Sequence, residues 1–112
     1  MTNSRQKGAR GEREWRDQLR AAGYTARRGQ QFSGGTDSPD VICEELDEVI
    51  HFEVKRVESL NINKAMDQAD NDSASKIPVV AHKRNGAPWL VTMPAEAFFE
   101  ILRDGIEALK TK

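Results

Sequence analysis

Asp40, Glu53 and Lys55 are two carboxylates and an ammonium at a spacing that suits phosphate chemistry. Asp40 follows Pro39 at the end of a Gly/Ser/Thr-rich segment, Glu53 comes thirteen residues later, and Lys55 two after that. Hard cations such as Mg²⁺, with Mn²⁺ as a substitute, take oxygen ligands: one or two carboxylates, completed by water and phosphate oxygens. An amine beside such a pair orients or polarises a water, or stabilises charge developing on a phosphate. Glu12 adds a third acid. It falls three residues before Trp15 and seven before Leu19, on the inward stripe of a helix, where a carboxylate is costly unless paired or metal-linked.

These groups work together only if local elements position them. The spacing predicts a helix over 9–22, with Trp15, Leu19 and Ala22 buried and Gly23 stopping it. Residues 1–7 are expected to be frayed. A short strand over 24–28 precedes the loop 29–40. Val41–Cys43, a turn over 44–47 and a strand over 48–56 read as a β-hairpin, which brings Asp40 towards Glu53. In the second strand Ile50, Phe52 and Val54 alternate with His51, Glu53 and Lys55, so Glu53 and Lys55 share a face and the apolar set packs on the core. A polar helix over 61–72 carries a stripe of Ile62, Met66 and Ala69. Two strands, 77–82 and 89–93, flank Asn85-Gly86 as a second hairpin. Pro94 opens a final helix with Phe98, Ile101, Leu102 and Leu109 as its buried stripe. The order is α-β-β-β-α-β-β-α, an α/β fold with a mixed central sheet flanked by helices.

At 112 residues the chain has the size of one domain, 1–112. Its net charge of −1 hides a segregation. Residues 1–30 carry eight basic and three acidic side chains, residues 31–60 two basic and eight acidic. A basic third invites a polyanion and an acidic middle a cation. Arg5, Lys7, Arg10, Arg13, Arg27 and Arg28 are the candidate phosphate contacts. Apolar runs are too short for a transmembrane helix, the first residues show no secretory apolar run, and the expected location is the cytoplasm with no membrane partner. One cysteine, Cys43, excludes an internal disulfide, has no basic neighbour to activate it, and with two histidines argues against structural zinc. His51 shares the face of Glu53 and Lys55 and reads as a packed or surface histidine, with a place at the border of the site as the alternative; Gln68 reads as a solvent-exposed helix residue, and Trp15 and Trp89 as core.

Gly11-Glu12-Arg13 in the first helix, Pro39-Asp40 and Glu53-Val54-Lys55 resemble the PD-(D/E)xK nuclease superfamily. Within it the chain is similar to archaeal-type Holliday junction resolvases and their phage and bacterial relatives, over residues 5–93 in order and spacing. Lys7-Gly8, the Gly23-Tyr24 helix end and Arg27-Arg28 before a Gly/Ser loop add to the likeness. The resemblance implies a restriction-endonuclease-like fold, Mg²⁺-dependent cleavage of DNA to 5′-phosphate products, a role in recombination or repair, and commonly a homodimer. It implies that Asp40 and Glu53 bind metal with the Val54 carbonyl, that Glu12 supports a second ion or the water network, and that Lys55 positions the nucleophile. Ser33 matches the resolvases' functional loop serine, and either Arg27 or Arg28 their phosphate-facing arginine. Archaeal resolvases tend to be basic and this chain is not. A restriction-like or repair nicking enzyme with the same site, or a non-catalytic DNA-binding module on a nuclease fold, therefore stands beside the four-way-junction reading.

Overall fold

The computed structural model describes residues 4–29 and 39–110, with side chains for residues 8–29 and 39–105. Three helices, α1 (Ser4–Ala21), α2 (Ile62–Asp72) and α3 (Ala95–Lys110), accompany five strands. The strands are β1 (Ala26–Arg28), β2 (Val41–Cys43), β3 (Ile50–Arg56), β4 (Ile77–Lys83) and β5 (Leu90–Thr92). They form one mixed sheet in the order β1-β2-β3-β4-β5, antiparallel except for the parallel β3–β4 pair. The element order is the one the sequence predicts. Parallel β3 and β4 require a crossover, and α2 provides it.

α1 begins at Ser4. Residues 4–7, expected to be frayed, are its first turns. Glu12, Trp15 and Leu19 are buried along one stripe as the spacing predicts, whereas Ala22 lies past the helix end and is exposed. The Tyr24 amide donates to the Leu19 carbonyl, closing the helix C-terminus next to Gly23. Trp15 meets Phe52 of β3 edge-on, with ring centroids 5.7 Å apart, and packs on Trp89 at 5.3 Å. Val41, Cys43, Val54, Val79 and Ala81 complete this cluster between α1 and the sheet. Both tryptophans are core residues, as expected.

Gly11 explains how α1 sits so close to β3. A Cβ there would stand 2.9 Å from Cβ of Arg56 and 3.5 Å from Val54 Cγ1. An ion pair locks the same contact, since Arg56 Nε lies 2.8 Å from Glu14 Oε2. Burial alone would raise the Glu14 carboxyl; hydrogen bonds from Arg56 and Arg10 outweigh it and hold the group below its ordinary value.

The opposite side of the sheet is covered by α2. Asn61 caps that helix, its side chain accepting from the Lys64 amide. Ala65 and Ala69 pack against Val80, with Ile62 and Met66 half-buried beside them. The residues His51, Glu53 and Lys55 lie on this side, and His51 and Glu53 are as deeply buried as the apolar set. Strict alternation predicts a polar face; the parallel crossover puts a helix over it.

The expected hairpin turn falls at Asn85-Gly86 between β4 and β5: Gly86 has φ +74° and the Ala87 amide donates to the Arg84 carbonyl, a type II turn. One expectation needs correction at the far end of the chain: the stripe of α3 is not a buried one. Phe98 and Ile101 are exposed, Leu102 is half-buried and Ala97 is the buried residue, while the side chain of Leu109 lies outside the described ones. The helical period is real, but no layer among the described residues packs over that face. No helix among the described residues is long and apolar enough to cross a membrane.

Candidate active site

Asp40 is placed by backbone bonds before its side chain does anything. Its amide donates to the Phe52 carbonyl at 3.0 Å, and its own carbonyl accepts from Gly29 at 2.9 Å. Gly29 admits no side chain there, because a Cβ would run into the Pro39 carbonyl. The two ends of the intervening segment are thus pinched together. The Asp40 carboxylate then accepts a hydrogen bond from the Val54 amide, 2.8 Å from Oδ2. A carboxylate two strands' width from Glu53 in a hairpin would be generic; one bonded to the amide that follows Glu53 is a built contact.

Asp40 lies within reach of the Glu53 charge, and the charge of Glu12 also reaches it. Burial, then the Glu53 charge, raise the Asp40 carboxyl to about 7; the Val54 amide opposes the rise and Glu12 adds to it. Glu12 itself, 7% exposed, is met by Arg28, whose Nη2 lies 2.9 Å from Glu12 Oε1. That pairing separates the two arginines left open by the sequence. Arg28 turns to the acids, and Arg27 lies exposed on the next position of β1.

Lys55 projects from the same side of β3 as Glu53, as expected, and its Nζ donates to Gln68 Oε1 of α2 at 3.2 Å. Gln68 is exposed, as its helix position predicts, but it touches the lysine. His51 is the residue that sequence reasoning undervalued. It is 2% exposed, and its Nε2 lies 3.0 Å from Oε1 of Glu53, which is 3% exposed. The signal was there in the period-2 pattern, which aligns His51 with Glu53. Cys43 is buried, and burial followed by the Glu45 charge raises its thiol, which suits an inert core residue.

Among the basic candidates, Arg10 pairs with Glu14 at 2.8 Å and Arg13 is exposed on α1. Arg5 and Lys7 lie in the first turns of α1, with side chains outside the described ones, and Ser33 lies outside the described residues. A cavity of about 330 Å³ lined by Val57, Leu60, His82, Lys83 and Leu90 opens beyond the Lys55 end of β3, away from the acids.

Among the described residues no three His, Cys, Asp or Glu side chains close on one point as a preformed metal cage. The donor set nevertheless fits a hard cation. Asp40 and Glu53 supply the two carboxylates that Mg²⁺ sites commonly use and the neighbouring main chain a carbonyl oxygen, leaving the remaining positions to water and substrate oxygens. The Asp40 carboxyl is raised first by burial and then by the Glu53 and Glu12 charges, and a bound cation would offset both.

An α/β sheet carrying an acid, a second acid and a lysine on neighbouring strands, under a helix that contributes a further acid, is the architecture of a PD-(D/E)xK nuclease. The chain belongs to the family described as "Phage putative PDDEXK endonuclease", whose profile matches residues 3–112. Its fold is similar to that of Archaeoglobus fulgidus Hjc, a Holliday junction resolvase from an archaeal hyperthermophile, at a TM-score of 0.56 and 24% identity, covering 78% of this chain and 72% of the other. No curated protein matches the sequence.

Proposed function

We propose that this nuclease is a divalent-metal-dependent DNA endonuclease that cuts branched DNA, four-way junctions above all, as a homodimer. The observation that carries the chemistry is the Asp40 carboxylate, hydrogen-bonded to the Val54 amide at 2.8 Å and raised by burial and by the Glu53 charge beside it. Asp40, Glu53 and the Val54 carbonyl would hold the ion, Mg²⁺ or Mn²⁺ in its place. Such an ion polarises the scissile phosphate and stabilises the departing 3′-oxygen. Lys55, held by Gln68, positions the attacking water with its ammonium and offsets charge on the phosphate. Glu12 orients water at the edge of the site, and Arg28 holds Glu12 until a phosphate competes for its guanidinium. Lys7, Arg10, Arg13 and Arg27 contribute salt-sensitive contacts to the DNA backbone, and Ser33 contributes from the loop.

Two symmetric cuts in a junction need two sites, and the described residues hold one such acid–lysine set. A dimer face is supported by the exposed apolar residues Leu90 and Val91 on the edge strand β5 and Phe98, Phe99 and Ile101 on α3. The double change Phe98→Glu/Phe99→Glu is expected to give monomers by light scattering. Retained dimers would place the interface elsewhere.

The deciding assay compares four-way junction, flap, nicked and linear duplex DNA side by side, with Mg²⁺ and with EDTA. Paired symmetric cuts in the junction, absent with EDTA, are expected. Equal cleavage of linear or nicked duplex would favour a restriction-like or repair nicking enzyme, and binding without cleavage a DNA-binding module.

A further inference from the structure

We infer that His51 is a positioning residue for metal binding, holding the Glu53 carboxylate in the geometry in which its second oxygen meets the ion. The inference rests on the proposed metal site. His51 and Glu53 sit two apart on β3, on the side covered by α2, and are among the most buried polar side chains described. The imidazole Nε2 is 3.0 Å from Glu53 Oε1. A carboxylate that ligates a cation accepts hydrogen bonds only, so in the metal-bound form the ring nitrogen is the donor of this contact.

The contact does two things for Glu53. It supplies a hydrogen bond to a carboxylate that burial has stripped of water, a group that would otherwise be strongly disfavoured. It also occupies one oxygen, Oε1, which limits rotation of the carboxylate and leaves the other oxygen for a ligand, next to an Asp40 close enough to feel the Glu53 charge. Outer partners of this kind set how well a ligand is presented, and their loss typically weakens metal affinity about ten- to a hundred-fold. The register adds a reason why histidine suits the position. His51 pairs with Pro78 of parallel β4 and Glu53 with Val80, so the neighbouring strand offers an apolar surface and no competing side-chain donor at those two positions.

The test is Mn²⁺ binding by calorimetry on the full chain without DNA, for wild type, Glu53→Gln, His51→Leu and His51→Gln. Leucine fills the space without a donor. Glutamine places an amide N–H close to the position of Nε2. Wild type is expected to bind and Glu53→Gln to lose binding. His51→Leu is expected to bind about ten-fold or more weakly, and His51→Gln to recover most of that loss. His51→Leu binding like wild type, or His51→Gln as weak as His51→Leu, overturns the inference while leaving the metal site standing. Wild type that binds no Mn²⁺ overturns both. If His51→Leu does not fold, the ring nitrogens of His51 in the wild type decide by NMR: Mg²⁺ shifts them if the ring holds a ligand, and unmoved resonances overturn the inference.

Discussion

The two sides of β3 are equally dry and chemically opposite. Towards α1, Phe52 and Val54 pack in one apolar cluster with Trp15, whose indole Nε1 is the one buried side-chain polar atom left without a hydrogen bond among the described residues. Towards α2, His51 and Glu53 are just as buried, yet each depends on the other: His51 Nε2 and Glu53 Oε1 are 3.0 Å apart. Burial of the first side stabilises the fold by removing apolar surface from water. Burial of the second weakens it, because each charge loses hydration and the Asp40–Glu53–Glu12 acids repel one another. One seven-residue strand therefore carries the core on one side and the chemistry on the other, and the stability of the first offsets the strain of the second.

The comparison is broken most directly from the apolar side. Phe52→Ala is expected to cost about 3–5 kcal/mol of stability by chemical denaturation, leaving the cleavage rate of the remaining folded protein near wild type. The mirror experiment on the polar side is Asp40→Asn. Cleavage should fall about a hundred- to a thousand-fold or more, with junction binding retained by fluorescence anisotropy, and the metal-free protein should melt higher than wild type because a buried charge is gone. An Asp40→Asn protein that melts lower and still cleaves would undo the assignment of the two sides.

A third expectation concerns pH. Asp40 is raised from 3.8 to about 7 in the folded protein, so the folded state holds a proton that the unfolded chain releases earlier. The contribution of this group to stability is complete below about pH 4 and is lost as pH rises towards 7 and beyond. Without metal, thermal midpoints should fall across that window. Mg²⁺ added at pH 8 should restore them, and a midpoint indifferent to Mg²⁺ would count against the site.

Smaller changes sharpen the picture. Gly11→Ala gains about 1 kcal/mol of helix propensity but forces α1 off Arg56, so a net loss of about 1–2 kcal/mol with reduced cleavage is expected, since Glu12 moves with the helix. Gln68→Ala should lower turnover a few-fold and leave DNA affinity unchanged, because the Lys55–Gln68 bond is solvent-exposed and its net contribution is about 0.5–1.5 kcal/mol. An effect on affinity alone would place Gln68 at the DNA and not at the lysine.

What could be read from residues alone was whatever repeats along the chain. The period of β3 put Glu53 and Lys55 on one side, the helical stripe of α1 carried Glu12 inward with Trp15 and Leu19, and turn chemistry placed the strands in their observed order. Those are consequences of backbone geometry, which is the same in every protein. Three features needed the folded molecule. α3 has a strong helical period, but period says only that one side is apolar and not that anything covers it; Phe98 and Phe99 stand 47% and 57% exposed. Gln68 was legible as a helix-surface residue and not as the neighbour of Lys55. His51 looked like one of many strand histidines until α2 closed over it.

The chain by itself determined the acids, the lysine and the elements that bear them, because local periodicity and turn residues act over a few positions. The tertiary structure alone decided which of these groups share a hydrogen bond: Arg28 and not Arg27 on Glu12, the Val54 amide on Asp40, His51 on Glu53. Such choices depend on distances between segments far apart in sequence, set by how closely α1 and α2 pack on the sheet, and no local preference encodes them.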